Sequence, residues 1–67
     1  MNNEVIKFGI RLREARLKKK LSQGDVAKIL GVYRTYISGL ERGVKNLSLL
    51  TVQKIANAIG VKVNQLV

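Results

Sequence analysis

The segment SQGDVAKILGVYRTYISGLERG, residues 22–43, decides the fold that this sequence predicts. Ser22 is a good N-cap, and Asp25 three residues later can complete a capping box, so a helix is expected to begin here. Gly31 follows the apolar-periodic stretch of that helix, at the place where a C-cap residue with a positive φ is expected. A second short helical pattern follows and closes at Gly43. The segment therefore predicts two short helices joined by a tight turn at Gly31.

The residues before this segment predict another helix. Phe8, Leu12 and Ala15 lie at i, i+4 and i+7, which places one apolar stripe along an amphipathic helix. This helix is expected over about residues 5–19.

The residues after the segment predict a fourth helix and the start of a fifth. Ser48 is a candidate N-cap, and Gly60 is the expected C-cap residue. The inner stripe expected for the fourth helix is Leu49, Val52, Ile55, Ala56 and Ile59. Residues 63–67 look like the start of a fifth helix, and the alternation typical of strands never persists. The sequence therefore predicts one all-α domain over residues 1–67, with five helices in a compact arrangement.

Composition narrows the classes of function. The 67 residues contain 13 Lys plus Arg, 4 Asp plus Glu, no His and no Cys, which gives a formal net charge of +9. Without His or Cys, a disulfide scaffold, a Cys-based zinc site and the usual nucleophile pairs are excluded. We therefore expect neither an enzyme nor a bound cofactor or metal. The charge indicates a polyanionic partner, with nucleic acid ahead of a membrane surface or an acidic protein.

The sequence shows no targeting segment. No apolar run approaches the roughly 20 residues that cross a bilayer. Residues 1–4, MNNE, lack the cationic start and apolar run of a secretory signal. We expect a cytoplasmic protein that does not bind membranes. A small-molecule effector is not expected either, because so small a domain offers no evident ligand pocket.

Two short helices joined by a tight, Gly-containing turn form the layout of a helix-turn-helix. Ala27 is small enough for the two helices to cross closely, and Ile37 and Leu40 can anchor the second helix on the first. The other face of that second helix presents four hydrogen-bonding side chains, Arg34, Thr35, Ser38 and Arg42. Such a row can enter a major groove, where Arg reads guanine through two hydrogen bonds and Thr can touch a thymine methyl.

Several stretches of the chain have counterparts in a known family. They are Leu21-Ser22-Gln23, Val26-Ala27, Leu30-Gly31-Val32, Ile37-Ser38 and Leu40-Glu41-Arg42-Gly43. Through them the chain resembles the phage-repressor/Cro-like helix-turn-helix family. Through RTYIS at 34–38, ERG at 41–43 and NLSL at 46–49, it more narrowly resembles the controller proteins of restriction–modification systems. The resemblance implies a lambda-repressor-like, DNA-binding transcriptional regulator that autoregulates a restriction–modification operon.

The resemblance and the positions of the charges together assign roles to single residues. Base contacts are expected from Arg34, Thr35, Tyr36 and Ser38. Phosphate contacts are expected from Gln23, Lys28, Arg42 and Lys45. Tyr36 has a second interpretation, a partly buried ring whose hydroxyl lies at a phosphate.

The resemblance also implies one structural contact, and the sequence departs from the family pattern at one position. An ion pair between Arg16 and Glu41, which the phage-repressor branch has, is expected to tie the first helix to the third. Gly24 stands where the family usually has a charged helix former, which is expected to weaken the second helix by about 0.5–1 kcal/mol.

A regulator of this kind is expected to act as a homodimer on double-stranded DNA with a palindromic operator. Leu50 stands beside Leu49 and breaks the amphipathic pattern of the fourth helix. An exposed leucine there is either incidental or part of an interface. We expect the interface, formed by Leu50, Val63, Leu66 and Val67.

Two rival functions use the same helices. One is an antitoxin-like or scaffold module whose basic surface meets an acidic protein. The other, a basic amphipathic membrane binder, is disfavoured because the cations are spread over several short helices.

Overall fold

The structure, a computed structural model, describes residues 3–67. Its helices are α1 Asn3–Lys18, α2 Gln23–Leu30, α3 Arg34–Glu41 and α4 Leu49–Ile59, followed by a short 3-10 helix, Val63–Gln65. No strand occurs in the described part, so the all-α prediction is confirmed. Met1 and Asn2, which belong to the stretch that showed no secretory signal, lie outside the described residues.

The expected fifth helix is wrong, because a three-residue 3-10 helix takes its place. Lys62 N donates to Gln65 Oε1 at 2.8 Å, and Leu66 N donates to Val63 O at 2.9 Å, so the chain closes on itself within one turn. The Leu66 side chain is fully buried. The turn therefore serves to bring this leucine into the core.

The start and end of α2 follow from its capping residues. Asp25 N donates to Ser22 Oγ at 2.9 Å, and Ser22 N donates to Asp25 Oδ2 at 2.8 Å. The backbone N–H of Ser22 is the largest cause of a lowered pKa of Asp25, so the stabilisation from this capping box is present at neutral pH and is lost as the pH falls through the lowered pKa. At the other end Gly31 has φ 73°, the left-handed conformation that only glycine adopts without steric cost.

The same kinds of capping residue define the two ends of α4. Thr51 N donates to Ser48 Oγ at 3.2 Å, and Gly60 closes the helix. The expected inner stripe holds for Val52, Ile55, Ala56 and Ile59, which are buried. It is wrong for Leu49, which is 69% exposed because no described element covers that side of the first turn of α4.

All four helices contribute to one hydrophobic core. Its buried members are Phe8, Leu12, Val26, Ala27, Ile37, Leu40, Val52, Ile55, Ala56, Ile59 and Leu66. Ala15, from the predicted stripe of α1, is partly buried against this core.

Gly9 lies at a close approach between α1 and α3 that the sequence did not indicate. A Cβ atom on Gly9 would lie 2.5 Å from Leu40 O and 2.6 Å from Glu41 O, so α1 meets the last turn of α3 backbone to backbone. This contact fixes the end of α3 relative to α1.

Candidate nucleic-acid interface

The inner face of α3 is anchored so that its outer face stays free. Ile37 and Leu40 are fully buried, and Ala27 of α2 is buried beside them. Arg34, Thr35 and Arg42 are exposed, and Ser38 is half-buried. The predicted row of donors therefore lies on the outer side of a helix that is fixed by its apolar residues.

A buried ion pair ties α1 to the end of α3. Arg16 Nε donates to Glu41 Oε2 at 2.7 Å, and Arg16 Nη2 donates to Glu41 Oε1 at 3.1 Å. Arg16 Nη1 donates to Leu21 O at 2.8 Å, in the segment that leads into α2. The Arg16 and Glu41 side chains are only 9% and 5% exposed. The hydrogen bonds that Arg16 donates to Glu41 raise the pKa of Arg16 against the opposite effect of burial. The expected ion pair is therefore present.

Gln23 extends this pair to the outer face of α3. Gln23 Nε2 donates to Glu41 Oε1 at 3.1 Å, and Arg34 Nη1 donates to Gln23 Oε1 at 3.4 Å. The chain of contacts thus runs from Arg16 through Glu41 and Gln23 to Arg34. The sequence predicts Gln23 at a phosphate and gives no sign of this bridge, because α1, α2 and α3 come together only in the folded chain.

The other residues expected at phosphates are all exposed. Lys28 lies on α2, and Arg42 follows the last residue of α3. Lys45 lies in the connection between α3 and α4. All three cations are therefore accessible to a polyanion.

Tyr36 lies on the side of α3 that faces α4. Its ring is half-buried and packs against the core. It also lines an open apolar cleft of about 710 Å³ between the α2–α3 turn and α4, together with Tyr33, Thr51 and Lys54. This position fits the partly buried ring, and whether Tyr36 touches a base or a phosphate stays a prediction.

The residues expected at the dimer interface fall into three groups. Leu50 and Val67 are 59% and 58% exposed, and both are available to a partner. Val63 is half-buried and packs against the core. The prediction for Leu66 is wrong, because its side chain is fully buried in the core of its own protomer and offers no surface to a second copy.

The described residues contain no group of three or more His, Cys, Asp or Glu side chains that could hold a metal ion. Within residues 3–67, every buried side-chain nitrogen or oxygen has a hydrogen-bond partner. No helix in this part of the chain is long and apolar enough to cross a membrane.

Comparison with known proteins places this geometry in a family. Residues 12–66 match the family described as helix-turn-helix. The control protein C.BamHI of Bacillus amyloliquefaciens is 44% identical over 62 residues, which are 91% of this chain and 76% of that protein.

Solved structures agree with this match. The restriction–modification controller protein C.AhdI from Aeromonas hydrophila superimposes with a TM-score of 0.90 at 41% identity, over 98% of this chain and 100% of that one. The controller protein C.Esp1396I, solved as a tetramer with its natural 35-base-pair operator, superimposes with a TM-score of 0.86 at 31% identity. That match covers 92% of this chain and 82% of the C.Esp1396I chain.

The resemblance stated from the sequence is thus confirmed. The α2–α3 pair, with its turn at Gly31, has the layout of a helix-turn-helix. The family is not enzymatic. The chain belongs to the helix-turn-helix family of DNA-binding transcriptional regulators, and within that family it is similar to the restriction–modification controller proteins.

Proposed function

We propose that the whole chain acts as one DNA-binding domain and that two copies read a palindromic operator, each through its α3. The observation that carries this proposal is the exposed row Arg34, Thr35 and Arg42 on a helix whose opposite side is fully buried. A helix anchored in this way can enter a major groove without rearranging its own protomer.

Discrimination between sequences is assigned to the start of α3. Arg34 can donate two hydrogen bonds to guanine O6 and N7, and Thr35 beside it can contact a thymine methyl. Arg34 Nη1 lies 3.4 Å from Gln23 Oε1, so the guanidinium is at this end of the helix. Each good base contact is worth about 1–3 kcal/mol of discrimination. Ser38 and Tyr36 are proposed as further contacts on the same helix.

Affinity is assigned to the cations that surround this helix. The net charge of +9 on 67 residues favours a polyanion. Lys28 is exposed on α2, beside the row, and Arg42 is exposed at the end of the row. The amide of Gln23 is proposed to contact a phosphate from the start of α2. Each neutralised phosphate releases counterions, so binding is expected to weaken steeply as salt rises.

A homodimer is proposed because one small module contacts few base pairs. Leu50 and Val67 expose apolar surface on each protomer, as does Leu49 beside Leu50. A two-fold axis through such an interface places two recognition helices about 34–36 Å apart, in successive major grooves. The crystal structure of C.Esp1396I on its operator shows that a similar protein assembles on DNA.

The similarity to controller proteins supports autoregulation of a restriction–modification operon as the biological role. The level of the protein would then set operator occupancy, with no effector ligand. Such a regulator acts where the chromosome lies, so the proposal places it in the cytoplasm.

The test compares Arg34→Ala with Lys28→Ala on an operator selected from randomised duplexes. Arg34→Ala is expected to lower the ratio of operator to random-DNA affinity by roughly 25-fold or more, because the dimer loses one base contact of about 1–3 kcal/mol in each half-site. Lys28→Ala is expected to weaken binding to all sequences alike and to reduce the salt slope by about 2, one phosphate contact for each protomer. An Arg34→Ala protein with the wild-type ratio contradicts the assignment. A wild-type protein that selects no sequence and is competed off by heparin alone indicates the interaction-module alternative.

A further inference from the structure

One residue of the recognition helix is buried although it lies on the outer side. Thr35, Gly39 and Arg42 fall at i, i+4 and i+7 and therefore share one side of α3. Thr35 and Arg42 are exposed, whereas Gly39 between them is buried. Something outside α3 must cover this position.

The cover is the side chain of Lys45. A Cβ atom on Gly39 would lie 2.9 Å from Cε, 3.0 Å from Cγ and 3.5 Å from Cδ of Lys45. Three successive methylene carbons thus lie along the surface of α3, in space that only a glycine leaves open. Lysine commonly packs its apolar stem in this way while its charged head stays in water.

The position of the stem places the ammonium of Lys45 close to Gly39. Nζ is bonded to Cε, the methylene that comes closest to the missing Cβ of Gly39. The charge is therefore carried on the side of α3 that the proposed function directs into the major groove. A lysine that only contacted phosphates from the α3–α4 connection would not need its stem laid across the recognition helix.

We propose that Lys45 contacts a base edge, with guanine O6 and N7 as its acceptors, and that Gly39 is the positioning residue that gives its stem room. The proposal rests on the proposed function, since it takes α3 to lie in the groove. It differs from the expectation of a phosphate contact made from the sequence. An ammonium has three donors and no acceptor, which suits the two acceptors of guanine in the major groove.

Lys45 and Arg34 are then expected to contact different base pairs. Five residues separate Arg34 from Gly39, which corresponds to about 7.5 Å along the axis of α3. One base-pair step is about 3.4 Å, so the two cations are expected to specify positions roughly two base pairs apart in each half-site.

The experiment selects operators from randomised duplexes with the wild-type protein, Lys45→Ala, Gly39→Ala and Lys28→Ala. Lys45→Ala is expected to lose the preference for guanine at one position per half-site, by about 5- to 100-fold in relative affinity, while the position specified by Arg34 is kept. Lys28→Ala is the matched loss of one charge and should leave every preference unchanged.

Gly39→Ala tests the positioning role without removing a charge. Alanine is a better helix former than glycine, so the fold is not weakened, but its Cβ would displace the stem of Lys45. We expect the same guanine preference to weaken as in Lys45→Ala, and we expect Gly39→Ala to have no further effect in the Lys45→Ala background. If Gly39 had a purely structural role, Gly39→Ala would change DNA binding equally in the wild-type protein and in the Lys45→Ala protein.

The outcomes separate this proposal from the proposed function. If the wild-type protein selects a palindrome and Lys45→Ala weakens all sequences equally, Lys45 is a phosphate contact and the base-reading proposal is wrong. If Gly39→Ala keeps the full guanine preference, Gly39 does not position Lys45. If the wild-type protein selects no sequence, the proposed function is wrong and this proposal with it.

Discussion

Two regions of the protomer differ in whether their side chains find partners within the same chain. One is the ion pair between α1 and α3, and the other is the start of α4. Arg16 and Glu41 are almost wholly buried, and their charges are matched within one protomer. Leu49 and Leu50 at the start of α4 are 69% and 59% exposed, with no described residue covering them. The first region is complete in a single chain, whereas the second presents apolar surface that another molecule can bury.

This difference separates the requirements of folding from those of function. The Arg16–Glu41 pair continues through Gln23 to Arg34, so contacts within one protomer connect α1 to the start of α3. Changes in the first region are therefore expected to unfold the protomer, and changes in the second to separate two folded protomers.

The largest effect is expected from Glu41→Gln, which breaks the first region. The substitution leaves the buried guanidinium of Arg16 without its counter-charge, which costs about 3–5 kcal/mol. A domain of this size has about 3–10 kcal/mol of total stability, so most of its free energy of unfolding would be lost. Urea denaturation followed by circular dichroism measures this change.

The matched control for Glu41→Gln is Glu14→Gln, which removes an exposed carboxylate from α1. We expect its free energy of unfolding to stay within about 0.5 kcal/mol of the wild type. Equal losses in the two variants would mean that the Arg16–Glu41 pair does not hold α3.

Leu50→Glu tests the second region. Two carboxylates placed in a symmetric apolar interface are expected to weaken association by on the order of 2 kcal/mol or more. Sedimentation at micromolar concentration should then show monomers. The free energy of unfolding of the protomer should change by less than about 0.5 kcal/mol, because the side chain is exposed. A dimer of unchanged affinity would place the interface elsewhere.

Gly9→Ala tests a second contact in the first region, the close packing of α1 against α3. The added methyl would meet two backbone carbonyl oxygens, which cannot rotate away. We expect a loss of about 1–3 kcal/mol in the free energy of unfolding, as for overpacking in a core. A thermal melt that matched the wild type would show that the two helices are less closely packed than described.

The smallest effect is expected from Gly24→Ala, at a second glycine near the same network. A Cβ here would find Ser22 Oγ at 3.6 Å and Arg34 Cδ at 4.0 Å, which are ordinary contacts. The better helix propensity of alanine should therefore raise the free energy of unfolding by about 0.5–1 kcal/mol. A lower free energy of unfolding for Gly24→Ala would contradict the conclusion that there is room for a Cβ atom at this position.

Local signals in the sequence are sufficient for α2 and α4 and their ends. Ser22, Gly31, Ser48 and Gly60 act through neighbours a few residues away, so their roles follow from the sequence around them. The two leucines, Leu49 and Leu66, were misplaced because periodicity defines the face of a helix but not which turns other elements cover.

The candidate site shows the same limit. The exposed row on α3 follows from helical spacing, and the pairing of Arg16 with Glu41 follows from the family. The bridge through Gln23 and the stem of Lys45 across Gly39 depend on how separate elements meet in space. No pattern along the chain specifies such contacts.

The central claim is that two protomers place their α3 helices in successive major grooves on one side of the duplex. Its most direct test is the affinity of the wild-type protein for duplexes whose two selected half-sites are separated by different distances. We predict tightest binding at a centre-to-centre spacing of about 10–10.5 base pairs, and a loss of about 100-fold or more when roughly half a helical turn is inserted. An affinity that is independent of the spacing would contradict the claim.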